Sequence, residues 1–92
     1  MTDAASAPLL DAALQARLDA AAAASRELPE RPANLTLLRI YALYKQATQG
    51  DAHGDRPAGF VDRAKYDAWA ALAGTPPAEA AGHYISLIES LQ

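Results

Sequence analysis

The chain has 92 residues, no cysteine and a formal net charge of −3. That length makes one domain near the lower limit at which a core forms unaided. The composition excludes disulfides and a thiol nucleophile, and the charge argues against general nucleic-acid binding. Hydrophobic residues account for 51%, but much of this is alanine, which adds helix propensity more than core volume.

The opening stretch MTDAASAPLLDAAL has no basic region and carries Asp3 and Asp11. It therefore reads as neither a secretory signal nor an Arg-rich transit peptide. No apolar run approaches the ~20 residues that span a bilayer, so the expectation is a soluble cytoplasmic protein with no stable membrane insertion. Residues 1–8, small and polar with Pro8 as punctuation, read as a poorly ordered extension, and 9–92 as a single domain. From Leu9 or Leu10 to Leu28, apolar positions such as Leu10, Leu14, Leu18 and Ala21 recur at threes and fours, the period of a helix. The alanine run 20–24 reads either as a thin, close-packing face or as compositional bias. Pro29 and Pro32 end this helix, because proline lacks an amide donor and disfavours helix before it.

A second helix is predicted from an N-cap at Asn34 through about Gln49, with Gly50 as its stop. At 100° per residue its central stretch sorts into three faces. Ile40, Leu43 and Ala47 make a core stripe, while Arg39, Ala42 and Gln46 share a side that can face water. Leu37, Tyr41, Tyr44, Lys45 and Thr48 share the third side, which sets two phenols and an ammonium beside an aliphatic chain. A face that only had to pack would not need this mixture. It suits a ligand with both an apolar and an anionic part.

Residues 50–61, GDAHGDRPAGFV, read as a Gly/Pro/Asp-rich loop, long for a helical domain whose connections are usually ~2–8 residues. Asp62 is placed to cap a third helix reaching about Ala73, with Tyr66, Trp69 and Leu72 on its packing face. Thr75 as N-cap and Pro76 at the first helical position open a fourth, with Ala81, Tyr84, Ile88 and Leu91 as its stripe. No stretch alternates in the manner of a strand, so the fold class is all-α with four helices.

Reaction chemistry is sparse. The two histidines, His53 and His83, lie in different elements, and no His/Cys/Asp/Glu set has zinc spacing. Asp51-x-His53-x-Asp55 resembles a calcium loop only superficially, because Arg56 stands where glycine is needed and the closing glutamate is missing. Neither a nucleophile elbow nor a phosphate-binding glycine loop is present. No catalytic residue and no metal are expected. What remains is Tyr41, Tyr44 and Lys45 on helix two, Lys65 on helix three and Tyr84 on helix four. A phenol can stack on a base and donate a hydrogen bond, and an ammonium is a point charge for phosphate. On the residues alone, the same set reads also as half-buried packing tyrosines and solvated lysines.

The stretch Tyr41-Ala-Leu-Tyr44-Lys45-Gln46-Ala47-Thr48-Gln49-Gly50-Asp51 resembles the Y-x-x-Y-K-Q-A-T-x-G-D signature of the acyl-CoA-binding protein family. The likeness continues through Arg56-Pro57, Ala64-Lys65-Tyr66-Asp67-Ala68-Trp69, Leu72-x-Gly74-Thr75 and Ala80-x-x-x-Tyr84-Ile85, covering about residues 16–92. It implies an antiparallel up-down-down-up four-helix bundle that binds thioesters of coenzyme A with medium and long acyl chains. By position, Tyr41, Lys45 and Lys65 would hold the 3′-phosphate of the ADP moiety and Tyr44 would stack on adenine. Tyr84 would line the groove, and Leu37 and Leu38 would touch the acyl chain. Arg26 and Arg31, standing where the family usually has lysines, would screen the pyrophosphate, and Ala22 would leave room on the ligand side of helix one. The resemblance further implies a non-catalytic monomer that sequesters and transports its ligand, with no cofactor and with transient contacts to acyl-CoA-using enzymes.

The chain departs from the family in places. The segment after Arg56-Pro57 is two residues shorter, Tyr66 replaces a common tryptophan and Leu18 a common phenylalanine. Ser25 falls where an aliphatic residue is usual, which predicts a less firmly packed helix one. Two other classes stay open: a helical protein–protein module that has lost its ligand, and an enzyme of acyl-CoA metabolism or a domain detached from one.

Overall fold

The computed structural model describes residues 9–92; the expectation for residues 1–8 lies outside the described part. Four helices form among the described residues: α1 (Ala12–Ala24), α2 (Asn34–Gln49), α3 (Phe60–Ala70) and α4 (Pro77–Leu91). A short 3-10 turn, Ser25–Glu27, follows α1 directly.

The contacts between elements fix the direction of each helix. The end of α1 and the end of α4 line one cavity through Ala20, Ala24, Ile88 and Gln92, so these two helices run parallel. The starts of α2 and α3 line a second cavity through Asn34, Leu38, Phe60 and Val61. Their ends meet where the Trp69 indole N–H donates to the Gly50 carbonyl at 2.8 Å. α2 and α3 are therefore parallel, and parallel neighbours need a connection that runs back the whole helix length. An extended chain covers roughly 3.3–3.6 Å per residue, so residues 50–59 suffice to retrace a helix the length of α2, and the long connection has its reason. The short turn after α3 reverses the chain, and α4 returns against α2. The bundle is up-down-down-up. α2 is its centre, packed between α3 and α4, while α1 packs on α4.

The core is Leu18, Leu43, Ala47, Ala80, Ala81, Ile85 and Ile88, with Leu10 and Ala21 at its edge. The alanines let α1, α2 and α4 approach closely, while Leu18, Leu43 and Ile88 supply the volume. Within the alanine run, Ala21, Ala22 and Ala24 join this packing, whereas Ala20 and Ala23 are exposed.

Several boundaries differ from expectation. Asp11 caps α1, its carboxylate accepting from the Leu14 amide at 2.7 Å, so the helix begins at Ala12 rather than at Leu9 or Leu10. It ends at Ala24 instead of Leu28, because the chain tightens into the 3-10 turn before Pro29. Ser25 lies in that turn, with its hydroxyl bonded to the Ala22 carbonyl at 2.6 Å. Asn34 is the first residue of α2, not its cap; Ala33 holds the cap position without a side-chain bond. α3 starts two residues before Asp62, after Gly59, and Asp62 instead complements the dipole from the first turn. α3 closes at Ala70, and residues 71–74 form a turn. In α4 the opening is one residue later, with Pro76 at the cap position and Pro77 beginning the helix.

The largest correction concerns α2. Ala42 and Gln46 do not face water; they are 2% and 0% exposed. A central helix with neighbours on two flanks keeps little free surface, and of that predicted polar face only Arg39 reaches solvent. Gln46 is accommodated because its Nε2 donates to Asp51 Oδ1 and to the Thr75 carbonyl, both at 2.8 Å. The same Asp51 oxygen accepts the Gly74 amide at 2.9 Å. Gly50 at φ 75° and Gly74 at φ 88° supply the left-handed conformations that bring these segments together.

Candidate ligand-binding groove

Leu37, Tyr41 and Tyr44 of the third face of α2 line two adjoining cavities, which we call the limbs of one groove. The first limb is a cavity of about 360 Å³ between the end of α1, α2 and α4, lined by Ala22, Ser25, Arg26, Leu37, Ile40, Tyr41, Tyr44 and Tyr84. The second, about 270 Å³, lies between α2 and α3 and is lined by Asn34, Leu37, Leu38, Tyr41, Phe60, Val61, Ala64 and Lys65. Leu37 and Tyr41 belong to both and form the ridge where the limbs meet. A further cavity of about 290 Å³ opens between α1 and α4, but its walls, including Arg17 and Glu89, carry no aromatic ring or lysine.

The aromatic groups are placed for contact with a flat, polar ligand. Tyr44 and Tyr84 lie with ring centroids 5.5 Å apart and planes tilted by 56°. Tyr84 is 3% exposed and Tyr44 half-buried, so α4 fixes one ring and Tyr44 keeps an open side toward the cavity. The Tyr44 carbonyl accepts from the Thr48 hydroxyl at 2.8 Å, an ordinary use of threonine on a helix.

The two lysines are held by a reciprocal exchange across the parallel helices. Lys65 of α3 sets its Nζ 5.5 Å from the centre of the Tyr41 ring on α2. Lys45 of α2 sets its Nζ 4.7 Å from the centre of the Trp69 ring on α3. Both lie within the ~6 Å range of attraction between a cation and an aromatic face. Trp69 is itself fixed by its bond to Gly50, with the Tyr66 and His53 rings steeply tilted to it at centroid distances of 6.2 and 5.3 Å. Among the described residues the one ion pair is Arg56 with Asp67 at 2.7 Å. Neither ammonium group has a carboxylate partner among the described residues, and together they put positive charge beside the groove.

The expected site residues do not all line the groove. Tyr41, Tyr44, Tyr84, Leu37, Leu38, Ala22, Arg26 and Lys65 line one limb or both. Lys45 lines neither, because it rests on Trp69. Arg31 is exposed in the link before α2, with one long contact of 3.4 Å to Asn34 Oδ1. Ile40, read as core, Asn34, read as a cap, and Ser25, Phe60, Val61 and Ala64 also line the groove, and the sequence marked none of them as a site residue. Phe60 and Val61 precede Ala64 and Lys65 by one turn, a helical pairing that was legible had the loop been ended at Gly59.

The Arg56 guanidinium grips Asp67 through two bonds of 2.8 and 2.7 Å and ties the long connection to α3. Those bonds hold the Asp67 carboxyl below the usual carboxylate range and push the arginine further up. The side chains are 55% and 49% exposed, so this pair orders the loop more than it stabilises the fold. Asp51 is likewise held below the usual range, first by the Gln46 amide and then by the Gly74 N–H.

The geometry defines a small all-α protein with a groove that is apolar along its length and cationic beside its centre. The sequence model of the family described as "Acyl CoA binding protein" matches residues 15–88, and the chain belongs to that family. It is 46% identical over 69 residues to Acyl-CoA-binding domain-containing protein 3 of rice (Oryza sativa subsp. japonica), covering 73% of this chain and 44% of that longer protein. It is 44% identical over 72 residues to Acyl-CoA-binding protein of Saccharomyces cerevisiae, covering 76% of this chain and 83% of the yeast protein. The crystal structure of Oryza sativa Acyl-CoA-Binding Protein 2 superposes with a TM-score of 0.79 at 39% identity, covering 85% of this chain and 89% of that one.

Proposed function

We propose that this protein binds thioesters of coenzyme A with medium or long acyl chains, without reacting on them, and carries them through water. The reading rests above all on the convergence of Lys65 and Tyr41, from two helices, at the ridge between an aromatic limb and an apolar limb. In this reading Tyr41, Lys65 and Lys45 hold the 3′-phosphate, and Tyr44 stacks on adenine beside Tyr84. Arg26 and the more distant Arg31 screen the pyrophosphate, and Ala22 leaves space opposite them. Leu37 and Leu38 meet the acyl chain.

Lys45 must leave Trp69 to reach a phosphate at Tyr41. The contact it gives up, between a half-buried lysine and a buried ring, is worth between about 0.5 and 2 kcal/mol, on central values less than the ~1.5–3 kcal/mol of a hydrogen bond to a charged group. The exchange is therefore favourable, and the aromatic ring acts as a resting place for the ammonium.

Magnitudes divide the work between the ends of the ligand. Fully burying a sixteen-carbon chain would yield roughly 10 kcal/mol at ~0.8 kcal/mol per methylene, while association costs about 4–15 kcal/mol. The chain supplies affinity and the nucleotide supplies identity. Titration calorimetry tests this: hexadecanoyl-CoA is expected to bind far more tightly than free coenzyme A, with no free thiol released on incubation. Equal affinities would remove the proposal, and release of thiol would favour an enzyme.

A further inference from the structure

One histidine stands in the ring cluster beside the groove and has no part in the function proposed above. His53, in the connection between α2 and α3, sets its imidazole 5.3 Å from the Trp69 ring with the two planes inclined by 75°. Its Nδ1 lies 3.1 Å from the Asp51 carbonyl oxygen. A carbonyl only accepts, so this bond puts a proton on Nδ1 and leaves Nε2 to take up the second. Trp69 is buried and tied through its indole N–H to the Gly50 carbonyl, so its ring is fixed. Lys45 rests on the same ring, with Nζ 4.7 Å from its centre. One fixed indole thus adjoins a permanent cation and a side chain of the type that gains charge in mild acid.

The carboxylates around His53 are otherwise engaged. Asp51, two residues before it, accepts from Gln46 Nε2 and from the Gly74 amide. Asp67 of α3 is gripped by Arg56 and also feels Arg63. Tyr66 of α3 donates its hydroxyl to the Gly54 carbonyl at 3.2 Å. Asp55, two residues after His53, is exposed to water, which screens its charge. We infer that His53 is a positioning residue for Lys45: in its protonated form the imidazole repels the ammonium from Trp69 and so favours its transfer to the ligand phosphate. This rests on the function proposed above. Both distances run to the Trp69 ring, so the ammonium lies no more than about 10 Å from the imidazole, close to one screening length in ~0.1 M salt. In the complex Lys45 has left the ring for an anion, and the repulsion is relieved.

The sign follows from linkage. A proton on His53 disfavours the free state more than the bound one, so it tightens binding. Two unit charges about 10 Å apart near a protein surface shift such an equilibrium about two- to fivefold. The test is calorimetry of hexadecanoyl-CoA at about pH 8 and about pH 5.5, either side of the range in which imidazole changes charge. It compares the intact protein with His53→Asn, and Lys45→Ala with the double variant. The ligand phosphate also gains a proton over this range, but that change is common to every variant and cancels in their ratio. The affinity of the intact protein relative to His53→Asn is expected to rise about two- to fivefold from the higher to the lower pH. The affinity of Lys45→Ala relative to the double variant is expected to stay constant. Circular dichroism at both pH values checks that each variant keeps its helices.

A ratio that is flat or falls on acidification, with hexadecanoyl-CoA still bound, overturns this inference alone. An equal rise in the Lys45→Ala background also overturns it, because the imidazole would then act without the lysine. Failure of the intact protein to bind hexadecanoyl-CoA at either pH overturns the function as well.

Discussion

Replacing Gln46 with alanine tests whether the clasp at the end of α2 holds the bundle. A solvent-facing glutamine would tolerate the change within about 0.5 kcal/mol. The structure instead buries Gln46 completely and directs its Nε2 to Asp51 and to the Thr75 carbonyl at 2.8 Å each. Losing a hydrogen bond to a carboxylate costs about 1.5–3 kcal/mol, and losing one to a neutral carbonyl about 1 kcal/mol. One term opposes this loss. Gln46 Oε1 is buried without a partner, and removing it relieves a penalty of about 1–3 kcal/mol. The balance is a destabilisation of about 2 kcal/mol, counting also the small space left behind. For a domain of this size that corresponds to a fall in melting temperature of about 8–16 °C. Thermal and urea unfolding followed by circular dichroism would measure it. A double-mutant cycle with Asp51→Ala should return a coupling of at least about 0.5 kcal/mol, as expected of bonded neighbours. A loss below about 0.5 kcal/mol, or strict additivity with Asp51→Ala, would refute the clasp.

Two further outcomes follow from the same geometry. Lys45→Ala should weaken hexadecanoyl-CoA about five- to thirtyfold, the equivalent of ~1–2 kcal/mol, with helical content intact. Wild-type affinity in that variant would leave Lys45 as a companion of Trp69 and nothing more. Acid should act through Asp51, whose carboxyl the fold holds below the usual range. A lowered native pKa contributes stability that is full above the ordinary aspartate value of about 3.9 and is lost as pH falls through the lower native value. Asp51→Asn should therefore be less stable than the wild type at neutral pH, with the gap closing as pH drops through and below the carboxylate range. A gap independent of pH would refute the assignment.

Much of this protein was settled by local sequence. Helix period, proline punctuation and glycine stops located four helices, and the signature around Tyr44-Lys45-Gln46 indicated the family. These features act within a few residues, so they survive in a linear reading. Boundaries slipped by one to four residues because caps depend on backbone geometry: Asn34, Asp62 and Thr75 all have capping chemistry, yet Ala33, Gly59 and Pro76 hold the positions.

Only the tertiary structure decided which faces are covered. Periodicity assigns Ala42 and Gln46 to a face, but whether that face is wet depends on how many helices flank α2. Two do, and the predicted solvent face became a buried clasp. Likewise, sequence spacing grouped Lys45 with Tyr41, whereas the parallel placement of α3 brings Trp69 beneath Lys45 and Lys65 over Tyr41. It also turns Phe60 and Val61, read as loop, into the far wall of the groove. The order of residues along a helix fixes its own faces. The neighbour that meets each face is fixed by chain reversals many residues away, which no local pattern encodes.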